Sequence, residues 1–333
     1  MKKIRINYIE RKFYQFVSIE KAFRQIGKGL CGERFEVSFE QVPYLSSLSG
    51  TIKNLLFFRL KNKADIYHIT GHVHYIALLF PPRQTVLSIM DVRFMYTYRG
   101  LRRFVLKKLL LDLPVKRLEY LTAISEETKR EIVRFTDCDP RKIRVLDLPL
   151  LDHIHPVDET VFNSERPRLL QVGTTDNKNL PNVVRALRGI ECKLVIVGRL
   201  DEMQLTVLRE NAIDFENLFD LDDDELRNEY ARADIVIFCS TYEGFGLPII
   251  EAQSMRKPVL ASDASPMRET AGGAAELVDP HDIESIRKGI LKLIADPERR
   301  LELVEAGLQN IRRFEPKAVA AGYAELYEEM IKA

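Results

Sequence analysis

The stretch Ser240–Ala252, STYEGFGLPIIEA, decides how this chain folds. Before it lies the apolar run Asp234–Cys239, which is rich in β-branched residues and predicts a buried strand of a parallel sheet. Gly244 and Gly246 permit a turn and a close backbone approach that side chains would block. Pro248 suits the first turn of a helix, where its missing N–H costs nothing. We therefore predict a strand, a tight turn and a helix.

Two glutamates flank this turn. Glu243 lies in the turn and Glu251 about one turn into the helix, so we expect both at the carboxyl edge of the sheet, where open α/β sheets bind ligands. A carboxylate there can accept hydrogen bonds from two neighbouring hydroxyls of a sugar, and the helix N-terminus favours a phosphate. For the glycine turn alone, solvated glutamates would be the simpler interpretation.

The longer pattern is more specific. Together with Pro258–Asp263 and Glu269–Ala275, the stretch resembles the donor site of the retaining GT-B glycosyltransferases of family four, the glycosyl transferases group 1 type. The resemblance is strong over residues 168–315 and weaker over residues 65–150. It implies an α/β fold of GT-B architecture, with two doubly wound Rossmann-like domains facing across a cleft. Alternating strand and helix patterns in both halves agree with this.

The resemblance also implies roles for residues of the central stretch. Glu243 would meet the hydroxyls of the donor sugar, and Glu251 would hold the ribose of the nucleotide. The backbone amides of four consecutive residues would bind the same sugar: Gly244, Phe245, Gly246 and Leu247.

The run Arg168–Gly173 predicts a strand that ends on Gly173. In the resembling family an arginine and a lysine come after this strand and neutralise the donor diphosphate. Lys178 matches the lysine, but Thr174 stands at the arginine position. Because a leaving diphosphate gains charge in the transition state, loss of one cation removes part of the electrostatic catalysis. Arg199, which comes after the next strand, is placed to compensate.

Three histidines cluster at the strand predicted over Asp65–Gly71: His68, His72 and His74. His68 lies inside the predicted strand and His72 and His74 are not a helical i, i+4 pair, and no nearby carboxylate or cysteine completes a zinc set, so we predict no metal site. The resembling family often carries His-x-His here, with the second histidine beside the donor sugar, but that position is Thr70. On a helix opening at His72, the side chains of His72 and His74 point to nearly opposite sides. We favour His74 for the cleft; a structural role is the alternative for each, and His68 is expected in the core.

Asp91 and Arg93 come after the strand predicted over Thr85–Met90. On a loop facing the cleft they are candidates for binding the acceptor, since functional residues concentrate on loops. Ordinary loop residues are the alternative interpretation.

Residues 99–117 combine seven basic residues with a single acidic one, Asp112, and many leucines. A basic amphipathic helix of this kind can lie on an anionic membrane, in which case the acceptor would be lipid-linked. The alternative is a helix that packs its leucines into the domain and exposes its charges.

Composition narrows the classes of protein further. The 333 residues carry 50 basic and 49 acidic side chains, which gives no nucleic-acid signature. The four cysteines are far apart and form no C-x-x-C pair, so we expect reduced thiols in a cytoplasmic protein. A membrane contact through residues 99–117 would place the protein at the inner face of the membrane. No segment predicts a membrane span or a signal peptide. We predict an amino-terminal acceptor domain over 1–158, a nucleotide-sugar domain over 159–315, and a last helix, 316–333, that packs back on the first domain.

The sequence therefore predicts a metal-independent retaining glycosyltransferase that uses a nucleotide-diphosphate sugar, with no other cofactor. A sugar-nucleotide epimerase, a glycan phosphorylase of the same fold, or a catalytically silent partner subunit are the alternatives. A dinucleotide dehydrogenase is disfavoured because no strand leads into G-x-G-x-x-G.

Overall fold

The computed structural model describes residues 3–12, 18–45, 47–156 and 161–332. The chain divides into two units: Met1–Pro149 with Glu315–Ala333, and Leu150–Phe314. Within the described residues, no helix is both long enough and apolar enough to cross a membrane.

The boundary between the units lies at residues 149 and 150, earlier than the expected 158 and 159. The reason is local packing, because the Leu150 amide donates to the Phe314 carbonyl at 2.9 Å and Ile154 is buried in the core of the second unit. The predicted hinge region around residues 150–165 is irregular where it is described, and residues 157–160 lie outside the described residues.

Six parallel strands form the sheet of the first unit, in the order β2-β1-β3-β4-β5-β6. They are β1 (Ile4–Glu10), β2 (Phe35–Gln41), β3 (Ile66–Ile69), β4 (Thr85–Ile89), β5 (Tyr120–Ala123) and β6 (Ile143–Val145). Because the chain adds β2 on one side of β1 and β3 on the other, the topological switch point lies between β1 and β3.

The helices of the first unit are α1 (Ser18–Leu30), α2 (Leu48–Phe57), α3 (Phe94–Thr97), α4 (Gly100–Lys107), α5 (Leu113–Arg117), α6 (Glu126–Thr136) and α14 (Pro316–Lys332). Short 3-10 helices cover His74–Leu79, Pro82–Gln84 and Pro140–Lys142, and a π-helical segment, Lys108–Asp112, joins α4 to α5.

The basic stretch 99–117 is helical, but the burial of its side chains changes along its length. Helix α4 has no buried residue, and Leu101 and Phe104 are exposed. Only the π-helical segment and α5 bury side chains in the core, among them Leu111 and Val115. The alternative interpretation, that the leucines pack into the domain, therefore holds for Leu111, whereas Leu101 of α4 and Leu113 of α5 are exposed.

Helix α14 belongs to the first unit, as the sequence predicted. Its Tyr327 hydroxyl lies 2.8 Å from the Tyr8 hydroxyl and 2.5 Å from Nδ1 of His68, whose Nε2 lies 2.7 Å from the Ser88 hydroxyl. All four residues are buried. The expectation that His68 is a core residue is confirmed, and a buried polar network ties the end of the chain to β1, β3 and β4.

The second unit repeats the architecture, with strand order β12-β11-β10-β7-β8-β9. The strands are β7 (Arg168–Val172), β8 (Lys193–Val197), β9 (Phe215–Leu218), β10 (Ile235–Phe238), β11 (Val259–Ser262) and β12 (Glu276–Val278). The helices are α7 (Leu180–Leu187), α8 (Glu202–Glu210), α9 (Asp223–Arg232), α10 (Leu247–Ser254), α11 (Met267–Ala271), α12 (Ile283–Ala295) and α13 (Pro297–Asn310), with 3-10 turns at Asp176–Lys178 and Ile311–Phe314.

Both faces of this second sheet are covered by helices. Neighbouring residues of β7 show this, because Leu169 belongs to one core cluster and Leu170 to the other. The chain starts at β7, adds β8 and β9 on one side, and then places β10 on the other side of β7. The switch point therefore lies between β7 and β10, and ligand-binding crevices of open α/β sheets form at such points.

Candidate functional site

The turn after β10 has the predicted strand, turn and helix. Gly246 adopts a φ of +110° at the N-cap of α10, a backbone conformation that L side chains rarely adopt. Pro248 lies in the first turn of the helix, as expected. Phe245 is buried with its ring edge-on to Phe314, their centroids 5.6 Å apart, so its side chain belongs to the core and only its backbone can serve a ligand.

The 3-10 turn after β7 meets the turn after β10. The Thr241 amide donates to the Asn177 carbonyl at 2.8 Å, and the Asn177 side-chain amide donates to the Tyr242 carbonyl at 2.9 Å. Because β7 and β10 pair in parallel, their carboxyl ends are neighbours, and these bonds hold the two loops together. The sequence had not singled out Asn177, although it lies beside Lys178.

Lys178 and Glu243 form an ion pair at this junction. Nζ of Lys178 lies 2.7 Å from Oε1 of Glu243, and each side chain is 16% exposed. The Asn177 amide donates to the same carboxylate oxygen at 3.0 Å, and the ammonium lies 4.5 Å from the centre of the Phe238 ring. Both predicted residues are therefore held in fixed positions by short contacts.

Gly173 makes room for the Lys178 side chain. Its φ is +97°, and a Cβ built there would lie 2.8 Å from Cε of Lys178. A larger residue would be strained in this backbone conformation and would displace the Lys178 side chain.

Glu251 lies one turn into α10 and is buried. The Tyr230 hydroxyl, from α9, donates to its Oε2 at 2.6 Å. Burial raises the pKa of Glu251, while the Tyr230 hydrogen bond and the positive charge of Lys178 act to lower it. Lys178 thus acts on both glutamates, and the contact with Tyr230 is one that no local motif predicted.

Thr174 and Arg199 are engaged at the neighbouring strand ends. The Thr174 hydroxyl donates to the Arg199 carbonyl at 2.7 Å, and the Gln204 side chain donates to the Thr174 carbonyl at 2.6 Å. The exposed Arg199 side chain pairs with Asp220 and lies over the Phe219 ring, 4.6 Å from its centre. These contacts lie at the ends of β8 and β9, so compensation for the missing arginine stays a prediction.

The helix predicted to open at His72 begins two residues later. Gly71 turns the chain with a φ of +67°, and the 3-10 helix begins at His74. The rings of His72 and His74 are stacked, with centroids 6.3 Å apart and planes 12° apart, so they do not point to opposite sides. The positions of His72 and His74 therefore do not restrict a ligand-facing role to one of these two residues.

His74, the favoured candidate, is buried, and its Nδ1 lies 2.7 Å from the Leu110 carbonyl. Burial lowers the pKa of His74 to about 4, so the ring is neutral near pH 7. The half-buried His72 lies with Nε2 3.6 Å from Oδ2 of Asp91.

Asp91 and Arg93 lie at the end of β4. The Arg93 amide donates to Oδ1 of Asp91 at 2.9 Å. Burial acts to raise the pKa of Asp91, but the hydrogen bond and charge of His72 and the Arg93 amide outweigh it, so the pKa is lowered. Asp91 is therefore ionised near pH 7, and it pairs with His72 at this edge of the sheet.

No group of three or more His, Cys, Asp or Glu side chains that could hold a metal ion occurs among the residues the structure describes. Metal independence stays a prediction.

Two doubly wound Rossmann-like units, with charged residues gathered at a switch point, define an α/β protein of the GT-B fold class. Residues 157–310, slightly less than half of the chain, match the model of the family described as Glycosyl transferases group 1. The resemblance inferred from the motifs is confirmed.

Relatives and a solved structure agree with this assignment. The chain is 26% identical over 235 residues to the O-antigen chain mannosyltransferase RfbU of Salmonella typhimurium, covering 68% of this chain and 64% of that protein. It is 37% identical over 92 residues to the O-antigen chain mannosyltransferase B of Escherichia coli, covering 28% and 24%. The chain thus spans less than two thirds of either relative. The structure of Anabaena HepE with UDP and glucose superposes with a TM-score of 0.75 at 15% identity, covering 98% of this chain and 100% of that one, which shows the shared fold.

Proposed function

We propose that this chain is a retaining glycosyltransferase that moves a hexose-type sugar from a UDP- or GDP-linked donor to a glycan or lipid-linked acceptor, without a metal ion. The observation that carries the proposal is the Lys178–Glu243 ion pair beside the N-terminus of α10, with the buried Glu251 about one turn into the same helix. A cation and a helix N-terminus favour a diphosphate, and carboxylates favour sugar hydroxyls. The mannosyltransferase relatives support a hexose, and the UDP and glucose bound to HepE support a nucleotide-linked donor.

Each group at the switch point has a role in this proposal. Lys178 neutralises the diphosphate, Glu243 and the amides from Gly244 to Leu247 hold the sugar, and Glu251 accepts hydrogen bonds from the ribose. The charge on the diphosphate grows as it leaves, so the fixed ammonium of Lys178 stabilises the transition state more than the ground state. Its existing ion pair keeps it oriented before the donor arrives.

The transfer itself is proposed to take a front-face path. The acceptor hydroxyl oxygen forms a bond to the anomeric carbon on the side from which the diphosphate departs, while the bond from that carbon to the phosphate oxygen breaks. The departing phosphate oxygen takes the proton of the acceptor hydroxyl. Configuration is retained and no protein nucleophile is required.

On the first unit, we propose that His72, Asp91 and Arg93 contact the substrates. His72 is half-buried and paired with Asp91, whereas the His74 ring is buried against the Leu110 carbonyl. This arrangement supports His72 over His74 as the residue that touches a ligand, with His74 packing beneath it.

We also propose that residues 99–117 contact the inner face of an anionic membrane. The absence of buried residues in α4 and the exposure of Leu101 and Phe104 support this, because a helix that only packed in the domain would bury these side chains. The protein would then bind a lipid-linked acceptor at the membrane surface.

Thermal shift with UDP, GDP, ADP and their sugars tests the donor. A ligand at a hundred times its dissociation constant adds about 2.7 kcal/mol of stability. We expect Lys178→Ala to lose this gain for diphosphates. Lys193→Ala is the matched control, since Lys193 pairs with Asp214 at 2.8 Å but begins β8 at the opposite edge of the sheet. Equal loss in both variants, or no stabilisation of the wild type by any nucleotide, would reject the donor site.

Product analysis tests the reaction. NMR of the product should show the anomeric configuration of the donor, with activity unchanged by EDTA. Inversion, or loss of activity that only a divalent ion restores, would contradict the proposed mechanism.

A further inference from the structure

Large apolar side chains are exposed in one region of the first unit. Eleven of the seventeen that are exposed among the described residues lie between residues 44 and 113: Tyr44, Leu45, Ile52, Leu56, Phe57, Leu60, Leu79, Tyr96, Leu101, Phe104 and Leu113. Scattered exposed leucines are ordinary, whereas such a concentration indicates a surface that another phase or molecule covers.

Helix α2 carries three of these side chains, and its orientation is fixed. Asn54 is fully buried, exchanges hydrogen bonds of 3.0 Å with the backbone of Tyr44, and donates to the Tyr75 hydroxyl at 2.9 Å. Phe58, one turn after Asn54, is buried as well. The inner face of the helix is therefore held by positions 54 and 58.

The outer face is apolar. Ile52, Leu56 and Phe57 are 53%, 58% and 60% exposed. The i, i+4 spacing of Ile52 and Leu56 puts them together on the side away from Asn54. Phe57 is exposed at the end of the helix. The solvent-facing side of a surface helix normally carries several charged residues. Lys53 is the single charged residue of α2, and its ammonium lies 5.5 Å from the centre of the Tyr44 ring.

The charges around α2 identify the partner. Residues 44–63 contain four basic side chains and no acidic one, although the whole chain has nearly equal numbers of both. The four, Lys53, Arg59, Lys61 and Lys63, are all exposed. A second copy of this surface would bring like charges together, which opposes self-association. Apolar side chains with basic ones beside them instead match the interface of an anionic lipid bilayer.

We propose that α2 inserts Ile52, Leu56 and Phe57 into the headgroup region of an anionic lipid bilayer, with the surrounding basic side chains on lipid phosphates. Helix α2 packs on the 3-10 helix His74–Leu79, which packs in turn on the π-helical segment and α5. The surface of α2 is thus connected through packed segments to residues 99–117, for which a membrane contact is also proposed. It is formed by a different segment, and the proposal depends on no step of glycosyl transfer.

The chain contains no tryptophan, so a single introduced tryptophan reports its own environment. On addition of vesicles of phosphatidylcholine mixed with phosphatidylglycerol, Phe57→Trp should shift its emission to shorter wavelength and be quenched by brominated acyl chains. Leu301→Trp, at an equally exposed site of the second unit, should show neither. Vesicles of phosphatidylcholine alone should produce a much weaker change. Absence of a shift at residue 57, or an equal response at 301, overturns the proposal.

Cosedimentation with the same vesicles supplies a second measurement. Leu56→Ser should weaken binding roughly tenfold, whereas Leu301→Ser, which removes a leucine of the same exposure, 59% against 58%, should not. Arg102→Glu with Arg103→Glu tests residues 99–117 separately, and UDP binding by each variant reports on the donor site. If Leu56→Ser abolishes a concentration-dependent dimer while vesicle binding is absent, the surface is a protein interface and the proposal is wrong.

Discussion

The hydrogen bond from Tyr230 to Glu251 makes the sharpest prediction about the donor site. The phenol is fully buried and donates at 2.6 Å to Oε2 of a carboxylate that is 7% exposed. Water has little access to replace it. We expect Tyr230→Phe to leave the shape of the core intact while removing the group that orients Glu251.

The size of the effect depends on the charge of the acceptor. A hydrogen bond to an ionised group contributes about 1.5 to 3 kcal/mol. If all of this free energy is lost from the enzyme–donor complex, the donor KM should rise by roughly 10- to 100-fold. Loss of the same bond also raises the pKa of Glu251, because Tyr230 acts to lower it. If Glu251 binds the ribose as proposed, its ionised form accepts the hydroxyls, so the acid side of the pH profile for donor binding should move to higher pH.

Calorimetry with UDP or GDP, and donor KM measured across pH, test this prediction. Tyr327→Phe is the matched control, because it removes an equally buried phenol from the first unit, where it bonds Tyr8 and His68. It should lower stability to urea without changing donor KM. An unchanged KM and pH profile in Tyr230→Phe would refute the assignment of Glu251 to the ribose.

Three further predictions concern the same two units. Gly173→Ala should strain the backbone by about 1 to 2 kcal/mol and displace Lys178, so the melting temperature and diphosphate affinity should both fall in thermal shift; wild-type affinity would contradict this. Glu243→Gln should free Lys178 and tighten UDP by about two- to fivefold in calorimetry while kcat falls; weaker UDP binding would count against the ion pair. His74 protonates near pH 6.5 when unfolded and near 4 when folded, so protonation favours unfolding and stability should drop by up to about 3 kcal/mol as the pH falls between those values. Urea melts of His74→Gln should show a flatter pH dependence, and an unchanged slope would refute this reasoning.

Much of the second unit could be predicted because its evidence is local. The apolar run before Ser240, the glycine at 246 and the proline at 248 determine a strand, turn and helix through backbone preferences alone. The motif resemblance agrees with the family model that matches residues 157–310, and helix α14 lies in the first unit.

The errors arose where local pattern competes with packing. The spacing of His72 and His74 predicts opposite faces only on a helix, and Gly71 delays that helix until His74. The apolar residues Leu101, Phe104 and Val105 of α4 have the i, i+3 and i, i+4 spacing of a core-facing helix, yet none of its residues is buried. The outward face of α2 was not predicted. An exposed isoleucine or phenylalanine, such as Ile52 or Phe57, is the same residue type as a buried one, so the sequence does not distinguish them.

The sequence by itself determined the local elements, the family and the residue types able to bind a charged sugar donor, since those depend on neighbours a few positions apart. Only the tertiary structure decided that Lys178 meets Glu243, 65 residues away, that Tyr230 supports Glu251, and that Arg199 turns to Asp220. The order of strands in the second sheet is the physical reason. It sets β7 beside β10, and the loops after those strands are thereby brought within hydrogen-bonding reach.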